Sequence, residues 1–374
     1  MKNMKKMLIL TIVLIGAFAY FSRSKPSNEN ILVSANLPLT GDLAVYGQYI
    51  KQGSELAYSD LRNDYKNVPD LVFDWQDNMG DLGDTVSIFH QQVAQKPDLY
   101  ISGLKPSTAV ITDLVSQNNI PHFNWTLDVK INERSTNNLR TLINFKQEAA
   151  VFVDYLKEKK PEKVYMVYVN LESAVGEYEG VVRPALLEMG LKNENIISEP
   201  FNLTRTDFRD IALKIKQVNP DYLIINGFIP HVVSMTKEFR NLGVMTDTNT
   251  MASIDMLDAA LLLSPQEVEG VFVAAPQYLV DRDNVSLNAW KKHFEDTYKR
   301  VPTYFDAYAY DMVRIILEAS EELTLPAKSE DWIKAIRAVE TIGVTGSIKF
   351  DDDGSLITSM YPAVYRGGEL ISLE

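Results

Sequence analysis

Pro106 is followed by Ser107 and Thr108 at the start of a stretch with helical spacing. The first turn of a helix leaves backbone N–H groups unpaired and carries about half a positive charge. Two hydroxyls added there make a receptor for a carboxylate that needs no lysine. The same residues also suit helix capping, so both roles stand. Tyr46 falls at the mouth of the first strand-to-helix turn, either as a wall for a ligand or as ordinary packing. Asp255 follows a short apolar strand, placed to meet an ammonium group or to cap a helix beginning at Met256.

Residue types that signal catalysis or metal binding are scattered. His90, His122, His231 and His293 include no i, i+4 pair. His122 lies at a strand end, near where open α/β sheets bind ligands, and equally suits a polar loop edge. There is no glycine-rich phosphate loop, no GxSxG elbow and no HExxH. Asp351-Asp352-Asp353-Gly354 lacks the remaining ligands and closing glutamate of a calcium loop, and reads as a solvated turn. Gly176 and Gly180 have the spacing of membrane helix dimers but stand among Glu177, Tyr178 and Glu179. With no cysteine, disulfides, thiolate metal sites and cysteine nucleophiles are excluded. The expectation is a protein without cofactor or metal, not an enzyme.

These side chains must be positioned by an ordinary globular framework. The 374 residues are 46% apolar and 23% charged, which favours two domains and rules out wholesale disorder. A formal charge of −13 lacks the footprint for wrapping nucleic acid. Lys2, Lys5 and Lys6 precede an apolar run from Met7 to Phe21, and Ala17-Phe18-Ala19 supplies small residues for cleavage. This reads as a secretory signal over residues 1–19, with a mobile leader over 20–30. At about 1.5 Å per residue the run spans roughly 22 Å, short of the ~30 Å hydrocarbon core, though an uncleaved membrane anchor remains the alternative.

From Ile31 onward, β-branched runs alternate with helical patterns. The strands include Ile31–Leu37, Leu71–Trp75, Asp98–Ser102, Ile120–Asn124, Val164–Val169, Ile196–Glu199, Tyr222–Asn226, Thr250–Ile254 and Val271–Ala275. Helices of ten to fifteen residues lie between them, and longer ones fill 286–299, 304–323 and 330–339. Such alternation builds parallel sheets from βαβ units. The expected fold class is α/β, with two doubly wound lobes. The chain closes with strands Ser347–Phe350 and Met360–Tyr365 joined through the turn Asp353-Gly354.

Residues 31–57, ILVSANLPLTGDLAVYGQYIKQGSELA, resemble the opening of the type I periplasmic substrate-binding proteins for branched-chain amino acids. Leu37-Pro38-Leu39-Thr40-Gly41, Tyr46-Gly47 and Gly53-Ser54-Glu55-Leu56-Ala57 match in order. Ser102-Gly103 with Pro106-Ser107-Thr108-Ala109 is similar to the family's receiver of a ligand carboxylate. Thr206-Asp207-Phe208, Asn219-Pro220-Asp221, Gly227-Phe228 and the closing Thr345-Gly346-Ser347-Ile348-Lys349-Phe350-Asp351 continue the resemblance. It implies two lobes joined by three hinge crossings, near residues 145, 275 and 346. Lobe one would hold 31–144 and 275–345, and lobe two 145–274 and 346–374. It also implies an exported, periplasmic receptor that captures a small ligand and delivers it to an ABC importer permease. A membrane-anchored sensor of the same fold is the alternative.

By the same resemblance, Phe228 stands where relatives often carry an aromatic ligand wall, and Asp255 near where some place a carboxylate. The chain departs from the pattern at His122-Phe123-Asn124-Trp125-Thr126, where amino-acid binders show small residues; Thr126 is the one hydroxyl match. Val175 stands where they commonly carry tyrosine. Trp125 and Phe228 facing the cleft would suit an amino acid, an aromatic compound, an amide, a short peptide or an organic acid. The expected site is therefore Tyr46, Ser107, Thr108, Trp125, Thr126, Phe228 and Asp255.

Overall fold

The computed structural model describes residues 30–373; the expected signal and nearly all of the leader lie outside them. The first five strands form one parallel sheet in the order β2-β1-β3-β4-β5. They are β1 (Asn30–Leu37), β2 (Asp70–Asp77), β3 (Leu99–Gly103), β4 (His122–Trp125) and β5 (Asn138–Arg140). The next five are β6 (Val164–Val169), β7 (Ile196–Phe201), β8 (Tyr222–Ile225), β9 (Thr250–Ala252) and β10 (Phe272–Pro276). Three short strands follow: β11 (Thr341–Ile342), β12 (Ser347–Phe350) and β13 (Leu356–Ile357). The chain ends with β14 (Met360–Arg366) and β15 (Glu369–Ser372). The second sheet runs β15-β14-β10-β9-β8-β6-β7, parallel except for the antiparallel edge formed by β10, β14 and β15. The short apolar runs become strands because helices cover both faces; all six residues of β6, VYMVYV, are buried.

Two expectations about the chain's path are corrected. The strand ending at Pro276 does not re-enter the first sheet: Phe272 pairs with Met251 of β9, and Val273 with Ala363 of β14. A central strand buried on both faces carries no mark of which sheet receives it. The return comes after Pro276. Helix Gln277–Val280 still packs on β10, β14 and β15, whereas helix Tyr304–Glu321 lies along helix Ala44–Leu61. Likewise β12 does not join the second sheet with β14. It pairs with β11 and β13, and the turn at Asp353-Gly354 joins β12 to β13. Arg140 N–H donates to Gly354 O at 2.8 Å, tying that turn to β5.

Two glycines of the opening pattern have a packing cause. A Cβ on Gly47 would lie 2.1 Å from Pro38 O, so the first helix can sit under the Pro38 turn only without one. On Gly53 it would lie 2.3 Å from Asp306 O, where helices Ala44–Leu61 and Tyr304–Glu321 touch backbone to backbone. No helix among the described residues is long and apolar enough to cross a membrane.

Candidate ligand-binding cleft

Strands of both sheets end toward one cavity, the place where open α/β sheets bind ligands. Gly103 ends β3 and leads to Leu104 and Lys105; Trp125 ends β4; β8 leads to Asn226 and Phe228; β9 leads to Asp255. Leu104, Lys105, Trp125, Asn226, Phe228 and Asp255 line the cavity, which holds about 730 Å³ of non-atom space, part of it open to solvent.

Five of the seven expected residues, Tyr46, Trp125, Thr126, Phe228 and Asp255, come together on the cavity wall. The Tyr46 hydroxyl reaches from the first half to the second, donating to Asp255 Oδ1 at 3.2 Å and receiving the Ile229 N–H at 3.4 Å. Its ring meets Phe228 and Phe305 edge-on, at 5.9 and 5.0 Å between centroids. Trp125 stacks on Phe305 at 5.8 Å, yet its buried indole N–H has no partner. Burial pushes the Asp255 carboxyl up to about 7, partly offset by the Tyr46 hydrogen bond.

Ser107 and Thr108 are buried but do not reach the cavity wall. Thr108 Oγ1 lies 2.9 Å from Ser102 Oγ, which lies 2.7 Å from His122 Nε2. His122 Nδ1 lies 3.0 Å from Asn138 Oδ1, and Asn138 Nδ2 donates to Ile131 O. An acceptor at Asn138 Oδ1 assigns the ring proton to Nδ1. The Ser102 hydroxyl then donates to Nε2, and the Thr108 hydroxyl donates to Ser102. Thr108 is committed inward and has no proton for a ligand. His122 is the anchor of this chain, with burial lowering its pKa to about 4.

Helix Lys105–Gln117 still presents its N-terminus to the cavity, entered through Leu104 at φ 65°. At the rim, Lys105 Nζ meets Asp128 Oδ2 at 2.6 Å and Glu172 Oε2 at 2.8 Å, and Lys130 Nζ meets Glu172 Oε1 at 2.5 Å. Glu172 follows β6, so its two ion pairs, with Lys105 and Lys130, join the two halves across the rim.

The cavity wall also holds residues the sequence reading passed over. Glu177, Asn226, Tyr304 and Phe305 line the cavity. The Glu177 carboxyl is buried against that of Glu148; burial first, then the neighbouring charge, holds it far above the ordinary glutamate range. Glu148 is likewise raised by burial, and it accepts the Ile254 N–H. Glu177 Oε1 and Asn226 Oδ1 are buried without hydrogen-bond partners. A signal for Glu148 was present in the sequence. It falls in the apolar stripe Phe145, Ala149, Phe152, Leu156 of helix Phe145–Lys159, where a solvated glutamate does not belong. Among the described residues no group of His, Asp and Glu side chains is arranged to hold a metal ion.

Two wound sheets with a cavity between their strand ends define a two-lobed α/β binding fold. A model of the periplasmic binding protein family matches residues 31–369, and the chain belongs to that family. It is 24% identical, over 98% of both chains, to the Leu/Ile/Val-binding protein homolog 2 of Brucella abortus. Among solved structures it is similar to the branched-chain amino acid transporter substrate-binding protein LivJ of Streptococcus pneumoniae in complex with isoleucine. That likeness has a TM-score of 0.77 and 17% identity, and covers 91% of this chain and 97% of that one. A solute-binding protein of Rhodopseudomonas palustris BisB5 in complex with 3,4-dihydroxybenzoic acid gives a TM-score of 0.80 at 18% identity, covering 91% and 95%.

Proposed function

We propose that this protein is an exported receptor that captures a small solute between its lobes and delivers it to an ABC importer. The observation that carries the reading is Tyr46, whose hydroxyl and ring from one half meet Asp255 and Phe228 of the other across the cavity. A ligand shifts a conformational equilibrium only by contacting its two states differently. A wall divided between halves is complete only when the halves meet, so ligand favours closure. Trp125, Thr126 and Tyr46 form one side of the binding surface, and Phe228, Asp255, Asn226 and Glu177 the other. The helix Lys105–Gln117 contributes backbone N–H groups, with Ser107 and Thr108 supporting its first turn from within. Members with this fold are described with isoleucine and with a benzoic acid derivative, so the fold accommodates both aliphatic and aromatic solutes.

The test is a thermal-shift screen over amino acids, amines and aromatic acids, followed by small-angle scattering with each compound that shifts the melt. Selective binding of the closed native state stabilises by about 2.7 kcal/mol at a hundredfold excess over Kd. The expected result is a raised melting temperature together with a smaller radius of gyration. Tight binding with an unchanged scattering curve would reject the closing-cleft mechanism.

A further inference from the structure

The cavity's charges are unevenly divided. The second half contributes Glu177 and Asp255, and just behind them Glu148 and Asp258; both of these are fully enclosed and Asp258 Oδ2 is unpartnered. Glu177 is 2% exposed; neither its Oε1 nor Asn226 Oδ1 on the same wall makes a well-formed hydrogen bond, and the Tyr178 hydroxyl beside them is likewise without one. Buried acceptors left open cost free energy, and buried carboxylates cost more unless a cation meets them. Lys105 is the one cationic side chain among the described lining residues, and its charge is already committed to Asp128 and Glu172.

The first half offers a carboxylate the N-terminal N–H groups of helix Lys105–Gln117 but no free side-chain hydroxyl. The Thr108 hydroxyl is turned toward Ser102, and Ser107 does not reach the wall. Asn124 donates to Asn132 and to Leu139 O, and Thr126 donates to Asn124 Oδ1. The free donor there is the neutral indole N–H of Trp125, set in a wall of Trp125, Phe305, Tyr46 and Phe228. An aromatic wall beside carboxylates favours a positive charge through the negative faces of its rings.

We propose that the ligand is a primary-amine or amidinium cation with an apolar body and no carboxylate, its N–H groups held by Glu177 Oε1, Asn226 Oδ1 and Asp255. This rests on the cleft-binding reading and adds a charge class to it. A neutral donor would leave the acidic wall to be neutralised by its own protons alone. An aromatic acid would add a second negative charge. A zwitterionic amino acid would bring a carboxylate with only backbone N–H groups and one indole to meet it.

The experiment is titration calorimetry on the purified protein with probes matched in apolar body and differing in charge. The cations are L-leucinamide and L-phenylalaninamide, the zwitterions L-leucine and L-phenylalanine, and the anions 4-methylpentanoate and 3-phenylpropanoate. The expected order is cation first, at least about tenfold tighter than its zwitterion, with the anions last. Glu177→Gln should erase most of that preference, and its unliganded melting temperature should not fall below that of the parent protein. Preference for a zwitterion or anion overturns the inference while leaving the cleft reading intact. Absence of cation binding at millimolar concentration also overturns it. A cation that binds yet is indifferent to Trp125→Ala and leaves the scattering curve unchanged removes the cleft reading itself.

Discussion

Replacing Tyr46 by phenylalanine isolates the hydroxyl that joins the two halves. The ring remains, so its edge-on contacts with Phe228 and Phe305 are retained. What is lost is the hydrogen bond to Asp255 Oδ1 at 3.2 Å and the longer one from Ile229 N–H at 3.4 Å. A neutral hydrogen bond contributes about 0.5–1.5 kcal/mol and one to a charged group about 1.5–3. With the Asp255 carboxyl near 7, its partner at neutral pH is about half ionised, so the first bond lies between those ranges. The second is long and lies at the low end. Together they amount to about 2 kcal/mol, roughly thirtyfold in the balance between closed and open forms. With the halves apart neither hydrogen bond is made in either protein, so nearly all of the loss falls on closure. Calorimetry with any ligand that stabilises the parent protein should give a Kd raised about ten- to thirtyfold. Scattering should show incomplete compaction at ligand concentrations that saturate the parent. An unchanged Kd with full compaction would refute the reasoning, because the Tyr46–Asp255 contact would then add nothing to closure.

Two further perturbations address the rim and the buried histidine. Glu172→Gln removes the pairs with Lys105 and Lys130; the glutamate is half exposed, so each is worth only about 0.2–1 kcal/mol. Affinity should fall a few-fold in low salt, and the difference should fade near 1 M salt, where the Debye length is about 3 Å. Burial lowers the folded His122 pKa to about 4 from the ordinary 6.5, so the unfolded chain takes up the proton first as pH falls. Its contribution to stability is full above pH 6.5 and is lost between about 6.5 and 4, up to about 3 kcal/mol. Denaturant titrations of parent and His122→Gln across that window should converge as pH falls; parallel curves would contradict the assignment.

The fold was legible because buried strands declare themselves. Val164–Val169 and Ser347–Phe350 stand in the structure with the bounds read from the sequence. Their sheet partners were not legible. Phe272–Pro276 is apolar on both faces, and such a strand fits any central position, so its pairing with β9 and β14 is decided by tertiary contacts alone. The aromatic lining of the cavity was legible as well: Trp125 ends β4, Phe228 follows β8, and Tyr46 stands in the first turn of helix Ala44–Leu61. The hydroxyl pair was legible as residue types but not in direction. Whether Thr108 faces the cavity or the interior depends on Ser102, His122 and Asn138, which come from three other segments. The Glu148–Glu177 pair was missed because neither residue forms a motif by itself. Helices Phe145–Lys159 and Glu172–Glu177 bring them together only in three dimensions.

That missed pair changes how selectivity and stability are related here. Four buried carboxyls on one side of a cavity weaken the empty protein, whichever groups hold protons to neutralise them. The walls of the first half are apolar and aromatic, with hydrogen bonds already satisfied inward, and give a ligand shape more than charge. The division of labour follows from the two sheets. In the proposed binding mode, the first half would fix the body of the ligand and the second half its charge. A cation entering between them takes over the compensation otherwise supplied by protons, and does so fully only when Tyr46 has reached Asp255. Charge selection and closure are then one event, and substitutions on the second wall should alter which ligand binds, whereas Tyr46→Phe alters how completely the cleft shuts.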